Sequence, residues 1–196
     1  MSGYRLLTRA VIVAFRIYCG IVHPVRITGE EHIPAEGGFM LCPNHVSFLD
    51  PVMCILHIKR KIRFMGKMEL FKHKLVADVL RDVGAFPVDR GHADLAAVRE
   101  AIKTLTSGQG LGIFPQGTRS ADNQHTQMHS GAALIVQRTG SPVIPMYIDG
   151  PYRYFRKTDI RIGAPIDLSE FGRKCDGQTI AQVTDRIDRA IWALKD

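Results

Sequence analysis

Short apolar runs alternate with longer segments of helical spacing from residue 25 to the end of the chain. The apolar runs predict strands at Val25–Thr28, Phe39–Cys42, Arg63–Met65, Ala85–Val88, Leu111–Phe114, Val143–Ile148 and Asp159–Ile162. The segments between them repeat with the period of a helix and predict helices at Phe48–Ile58, Glu69–Val83, His92–Thr106, Gly131–Thr139 and Thr179–Leu194. This alternation predicts a single α/β domain over residues 23–196, with a mostly parallel or mixed sheet flanked by helices.

The first residues have a different pattern, because residues 4–22 form one long apolar stretch. A membrane-spanning helix needs about 20 mostly apolar residues, and the two arginines at Arg9 and Arg16 argue against a span. On a helix, Arg5, Arg9 and Arg16 fall in one narrow sector, and the rest of the circumference is apolar. Such a helix lies in a membrane interface with its arginines toward anionic headgroups, or packs on its own domain. We expect residues 1–22 to form a membrane-associating helix, and the periodicity leaves both arrangements open.

Composition narrows the choice of partners and cofactors. The 26 basic and 19 acidic residues give a net charge of +7, which favours an anionic partner such as a membrane surface or an acidic carrier. Nucleic acid has only this net charge in its favour, so we expect no nucleic-acid partner. The cysteines have neither CxxC pairing nor a histidine at zinc-site spacing, so we expect reduced thiols and no metal.

The densest polar cluster, Pro43–Asp50, follows one predicted strand directly. Open α/β sheets place their sites at the carboxyl ends of strands. His45 and Asp50 are close enough in the chain for the carboxylate to accept a proton from one imidazole nitrogen, which leaves the other nitrogen as a general base. A structural role for Asp50 is also open, because Ser47 and Asp50 have the spacing of a helix cap and Pro51 follows.

Three further strand ends carry cations. The segment Phe114–Ser120 supplies both backbone amides and a guanidinium that can bind an anion. Its candidate ligands are Gly117, Thr118 and Arg119. Lys67 and Arg90 follow two other predicted strands. Three cations near one His–Asp pair predict a phosphate-bearing substrate beside a single base.

In this order and spacing, the motifs resemble those of the glycerolipid acyltransferase family, and within it the bacterial 1-acyl-sn-glycerol-3-phosphate acyltransferases. The family motif N-H-x4-D is matched by Asn44, His45 and Asp50, and the motif that ends in arginine is matched by Gly84–Arg90. The motif F-P-E-G-T-R-S is matched by Phe114–Ser120 except at Gln116, the stretch G-K-x-E-L by Gly66–Leu70, and the proline-centred apolar motif by Pro142–Tyr147. The resemblance covers about residues 25 to 150.

The resemblance implies acyl transfer from acyl carrier protein or acyl-CoA to the 2-hydroxyl of lysophosphatidic acid, without a cofactor, to give phosphatidic acid for phospholipid synthesis. It implies that His45 is the base and that Asp50 orients it. It also implies a substrate-binding set of Lys67, Arg90, Gln116, Gly117, Thr118 and Arg119. We expect the protein at the cytoplasmic face of the cell membrane, peripheral or monotopic.

Two positions depart from the family pattern. Gln116 replaces a glutamate, so it keeps a carbonyl acceptor but loses the charge that would brace an arginine. His129 stands where the family usually has lysine. Two alternatives therefore stay open: a catalytically weak homologue that binds lipid or carrier, and an acyltransferase for another lyso-lipid.

Overall fold

A computed structural model describes residues 5–89, 94–120 and 123–195 of the chain. The strands are β1 Val25–Thr28, β2 Phe39–Pro43, β3 Ile62–Lys67, β4 Phe86–Val88, β5 Gly110–Gly112, β6 Val143–Ile148 and β7 Thr158–Ile162. The α-helices are α1 Leu6–Val22, α2 Asp50–His57, α3 Lys74–Asp82, α4 Leu95–Thr106, α5 Gly131–Thr139 and α6 Gly177–Trp192. Short 3-10 turns occur at Glu30–His32, Met68–Phe71 and Ser169–Phe171.

The strands form one seven-stranded mixed sheet in the order β1-β7-β6-β2-β5-β3-β4. Strands β6, β2, β5, β3 and β4 run parallel, and β7 runs antiparallel to β6 and parallel to β1. The predicted α/β fold with a mixed sheet is therefore confirmed. The carboxyl ends of the five parallel strands share one edge, which we call the carboxyl edge, and the loops that follow them meet there.

Helices cover both faces of the sheet. Two apolar clusters fill the core, one beneath α1 and α2 and the other beneath α4, α5 and α6. Every residue of β2 and β6 is buried, as expected for central parallel strands that are covered on both faces. Gly110 and Gly112 of β5 leave room for two rings, because a Cβ would lie 2.7 Å from Phe39 and 2.1 Å from Phe64.

The predicted helix at Glu69–Val83 is broken into a 3-10 turn and α3. The turn brings Phe71 back onto β3, where its ring lies next to Gly66 with no Cβ between them, and the Arg81 guanidinium lies over the same ring. The helix predicted from Phe48 begins only at Asp50, and the strand predicted to reach Phe114 ends at Gly112. Phe114 therefore belongs to the loop after β5.

Helix α1 packs on the domain through a narrow face and exposes the rest. Thr8, Ile12 and Cys19 are buried, and the Arg16 guanidinium donates a 2.6 Å hydrogen bond to the carbonyl of Leu56 near the end of α2. The expectation that the arginines point to headgroups is therefore wrong for Arg16, whose guanidinium satisfies a helix-terminal carbonyl instead.

The exposed apolar side chains of α1 form what we call the outer face of α1: Leu6, Leu7, Val13, Phe15, Ile17, Tyr18 and Ile21. Leu6 is 84% exposed, and Ile17 and Ile21 are at least 60% exposed. No helix in the described part of the chain is long and apolar enough to cross a membrane. Packing on the domain, one of the two open alternatives, is thus present along one face of α1, and association of the exposed face with a membrane stays a prediction.

Candidate active site

The loop from β2 to α2 places His45 and Asp50 together at the carboxyl edge. Nδ1 of His45 lies 2.7 Å from Oδ2 of Asp50, with His45 only 8% exposed and Asp50 fully buried. A carboxylate can only accept, so Nδ1 carries the proton and the lone pair of neutral His45 is on Nε2. Among the described residues, none hydrogen-bonds Nε2. The imidazole is thus oriented on one side and left with a proton acceptor on the other.

Asp50 also fixes the turn that carries His45. Its Oδ2 accepts the backbone N–H groups of Val46 at 2.7 Å and Ser47 at 2.8 Å, in addition to the imidazole. The side chain does not cap α2, because Leu49 occupies the cap position and Asp50 is the first helical residue. The prediction that Asp50 is the N-cap of α2 is therefore wrong, whereas the contact that the Ser47–Asp50 spacing predicts is present, and the carboxylate joins three donors of the preceding turn.

The segment after β5 wraps around His45. The ring of Phe114 stacks on the imidazole with centroids 4.0 Å apart, and the backbone N–H of Ser120 donates to the carbonyl of His45 at 2.9 Å. The backbone N–H of His45 donates to Oε1 of Gln116 at 2.6 Å. The two motifs that are 71 residues apart in the chain therefore form one rigid unit, because β2 and β5 are neighbours in the sheet.

Gln116 is only 2% exposed, and both ends of its amide are used by the protein itself. Oε1 accepts from His45, and Nε2 donates to the hydroxyl of Thr126 at 2.9 Å. Among the described residues, no arginine forms a hydrogen bond with Gln116. Gln116 instead supports the backbone that carries the imidazole.

We expect Gln116→Leu to lower the free energy of unfolding by about 1–3 kcal/mol, because it leaves the buried N–H of His45 without an acceptor. Gln116→Glu is the matched control. Its carboxylate can accept from both His45 and the rotatable hydroxyl of Thr126, so the fold should persist. Urea titrations of the three proteins measure the difference, and equal stability of Gln116→Leu and the parent would contradict this role.

A cavity of about 410 Å³ opens beside Phe114, the ring that stacks on the imidazole. Met65, Val88, Ile113 and Phe114 give it an apolar wall, and Gly117, Thr118 and His129 complete the lining. A second cavity of about 190 Å³ shares this wall and continues toward α4 and α5. Phe114 both lines the cavity and stacks on His45, so the imidazole lies one ring away from an apolar groove.

Gly117 turns the chain at this cavity. Its φ of 68° lies in the left-handed region that favours glycine, and a Cβ there would lie 2.7 Å from Cδ2 of His129. A side chain at residue 117 would therefore strain the backbone and displace the His129 ring. His129, one of the two positions that depart from the family pattern, lines the cavity.

Of the three predicted cations, Lys67 and Arg119 lie among the described residues, near the carboxyl edge. Lys67 ends β3, is exposed and pairs with Glu69 at 3.1 Å. The Arg119 guanidinium lies 3.4 Å from the centroid of the exposed Phe48 ring, a cation–π contact beside the active-site loop. Arg90 lies outside the described residues. Phosphate binding by these residues stays a prediction.

Sequence reasoning missed Tyr152, which packs against the core cluster that includes Cys54 of α2. Its hydroxyl is buried, and burial together with the Asp50 carboxylate holds the pKa of Tyr152 well above its ordinary value. The hydroxyl thus stays protonated near Asp50. No local pattern marks this residue, because its position depends on the loop between β6 and β7.

The buried cysteines near the site are unsuited to nucleophilic chemistry. Burial raises the pKa of Cys42 to about 12 and raises the pKa of Cys54 as well, so neither is a thiolate near neutral pH. Within residues 5–89, 94–120 and 123–195, no three His, Cys, Asp or Glu side chains are grouped to hold a metal ion.

Comparisons with known proteins find relatives over most of the chain. A family model described as Acyltransferase matches residues 24–149. The 1-acyl-sn-glycerol-3-phosphate acyltransferase of Bacillus subtilis is 28% identical over 189 residues, which cover 93% of this chain and 94% of that protein. The enzyme of the same name from Streptococcus pneumoniae is 31% identical over 184 residues, which cover 87% of this chain and 68% of that protein. The crystal structure of PlsC, the 1-acyl-sn-glycerophosphate acyltransferase of Thermotoga maritima, matches with a TM-score of 0.72 at 26% identity, and covers 96% of this chain and 81% of that chain.

Proposed function

The chain belongs to the acyltransferase family, and we propose that it transfers an acyl chain to the 2-hydroxyl of 1-acyl-sn-glycerol-3-phosphate. The product is phosphatidic acid. The observation that carries the proposal is the pair of His45 and Asp50, held against Phe114, whose ring lines an apolar groove. The names of the relatives in Bacillus and Streptococcus support the same activity.

The proposed step needs one base and no protein nucleophile. Nε2 of His45 takes the proton of the acceptor hydroxyl as its oxygen attacks the thioester carbonyl of the donor. The resulting tetrahedral intermediate collapses, so that a carbon–oxygen ester bond forms and the carbon–sulfur bond breaks. The imidazolium, held by the Asp50 carboxylate, returns its proton to the thiolate that leaves, either coenzyme A or the carrier's pantetheine thiol. His45 is thereby regenerated.

The groove would bind an acyl chain, and the cations would bind the phosphate of the acceptor. The apolar wall of Met65, Val88 and Phe114 suits an acyl chain, which loses contact with water there. The phosphate of the acceptor would bind the backbone at Gly117 and the side chain of Arg119, with Lys67, Thr118 and Arg90 as further predicted ligands. A planar guanidinium binds phosphate oxygens with two parallel N–H groups.

We expect Arg119→Ala to raise the KM for lysophosphatidate by at least about tenfold, because a hydrogen bond between charged groups is lost. Arg119→Lys should recover only part of the loss, since an ammonium cannot form the two-pronged contact. Initial rates at varied acceptor concentration measure the effect. Arg138→Ala, an exposed cation of α5 beyond the far edge of the sheet, is the control. Equal use of an uncharged monoacylglycerol by the unmutated protein would contradict the phosphate assignment.

We also propose that the outer face of α1 binds the membrane surface at its cytoplasmic side. The described part of the chain leaves these side chains largely uncovered, and a lipid interface would bury them. Leu75 and Val76 of the neighbouring α3 are exposed as well and extend the apolar surface. Both substrates of the proposed reaction carry acyl chains, so a site held at the interface would meet them there.

We expect the double variant Ile17→Gln and Ile21→Gln to bind phospholipid vesicles about 100-fold more weakly or worse, because each buried side chain contributes about 1.5–3 kcal/mol. Flotation with vesicles measures the bound fraction. Leu95→Gln is the control, because Leu95 is 66% exposed on α4, which covers the other face of the sheet. Unchanged flotation of the double variant would contradict binding through α1.

The proposed activity is tested with the purified protein, lysophosphatidate and each of the two donors, acyl-CoA and acyl carrier protein. We expect release of free thiol in equal amount to the phosphatidate formed. Transfer to another lyso-lipid in preference to lysophosphatidate would favour the alternative acceptor. Binding of lysophosphatidate without transfer from either donor would favour the lipid-binding homologue.

A further inference from the structure

The loop between β6 and β7, residues 149–157, exposes aromatic side chains at a conformational cost. Tyr154 is 70% exposed and Phe155 is 72% exposed. Phe155 has a φ of 58°, a left-handed conformation that a bulky residue rarely adopts. An exposed ring buries little apolar surface on folding, and residues in such strained conformations concentrate at active and binding sites.

Contacts with the end of α1 hold this loop in place. The backbone N–H of Phe155 donates to the carbonyl of Val22 at 2.7 Å, and the ring of Tyr154 packs on His23 with centroids 5.1 Å apart. The exposed aromatics therefore adjoin the outer face of α1. They also lie at the carboxyl edge, because β6 ends there and β7, which is antiparallel to it, begins there.

Three cations of the same loop surround a polar cavity of about 330 Å³. Arg153, Arg156 and Lys157 line it together with one carboxylate, Asp149. Across the described ranges, none of the three cations forms an ion pair. Two exposed cations elsewhere, Arg26 and Lys74, do pair with carboxylates, those of Asp159 and Asp78.

We infer that the β6–β7 loop binds the phosphate headgroups of anionic phospholipids, with Phe155 at the boundary between headgroups and acyl chains. The inference deepens the proposed function and rests on its membrane association. Cations near an anionic leaflet attract it, and an aromatic ring is favoured at the interface. An acidic carrier protein would match the same cations, but it would not explain the uncovered rings beside the apolar outer face of α1.

Two attachment points would fix the orientation of the enzyme. The outer face of α1 alone permits rotation about the helix axis, whereas a second contact at the β6–β7 loop holds the carboxyl edge against the leaflet. The groove beside His45 would then open toward the lipid that supplies the acceptor and receives the product.

The test compares vesicle binding by the full chain and two triple variants. The first carries Arg153→Gln, Arg156→Gln and Lys157→Gln, and the control carries Lys103→Gln, Arg138→Gln and Lys174→Gln, three exposed cations away from the carboxyl edge. Vesicles contain phosphatidylcholine with or without phosphatidylglycerol. We expect the first variant to bind the anionic vesicles about 100-fold more weakly, at about fivefold per cation, with little change on neutral vesicles. Equal losses in both variants would overturn the inference, because net charge alone would then explain them.

Two further measurements separate this inference from the proposed function. Phe155→Asn removes the ring but introduces a residue that tolerates the left-handed backbone. We expect this variant to bind both kinds of vesicle more weakly. Acyl transfer to a short-chain lysophosphatidate in vesicle-free solution should be unchanged in the triple variant of the loop. If the unmutated protein is inactive in that assay, the proposed activity is refuted, but the conclusion from vesicle binding is unaffected. Loss of transfer only with the carrier-protein donor, with vesicle binding intact, would assign the loop to the carrier and overturn the inference.

Discussion

Replacing His45 with alanine is expected to lower kcat by about 10²–10⁴-fold, which is the usual contribution of a general base. In the proposed mechanism Nε2 of this imidazole is the proton acceptor, and Cys42 and Cys54 near the site are poor substitutes because burial raises the pKa of their thiols. The measurement is kcat for acyl transfer at saturating donor and acceptor. Circular dichroism must show that the variant is folded at the assay temperature.

The chain contains a matched control for this variant. His125 also pairs with a carboxylate, since its Nε2 lies 2.6 Å from Oδ2 of Asp188. That pair joins the loop after β5 to α6, and its imidazole packs edge-on against Trp192 and lines neither cavity beside Phe114. We expect His125→Ala to keep near-normal turnover. Near-normal turnover of His45→Ala as well would rule out the proposed mechanism.

The features that the sequence predicts well are local ones. His45 and Asp50 are close in the chain, so their pairing follows from one turn. The helix over Gly131–Thr139 and the strand over Val143–Ile148 have the bounds that the apolar period predicts. The spacing of arginines in α1 shows which residues share a sector, but it cannot show which sector the domain covers.

The features that the sequence could not predict depend on the order of strands. Gln116 meets the backbone of His45 only because β5 lies next to β2, and the pattern of apolar runs does not give that order. Tyr152 reaches the neighbourhood of Asp50 through the loop after β6. The basic and aromatic residues of the β6–β7 loop are visible in the sequence, but their meaning depends on the cavity and on the contact with α1. Arg90 lies outside the described residues, so its role stays a prediction.

We expect Asp50→Asn to lower kcat by about 10²-fold or more. Asp50 Oδ2 accepts three N–H groups at 2.7–2.8 Å, and one of them is the imidazole that becomes positive in the transition state. An amide oxygen can accept the same donors, but it lacks the charge that stabilises the imidazolium, and hydrogen bonds to charged groups are roughly twice as strong. The same substitution should lower the free energy of unfolding by about 1–3 kcal/mol, because the buried turn loses its charged acceptor.

The double variant His45→Ala with Asp50→Asn separates catalysis from stability. If Asp50 acts through His45, the double variant should have nearly the same kcat as His45→Ala alone, because residues that act as a unit are strongly non-additive. The losses in unfolding free energy belong to the turn and should persist in the double variant, since the N–H groups of Val46 and Ser47 still lose the charge of their acceptor. If instead Asp50→Asn lowers only stability and leaves kcat intact, Asp50 holds the turn without orienting the base. The proposed role of the pair would then be wrong, and His45 would act alone.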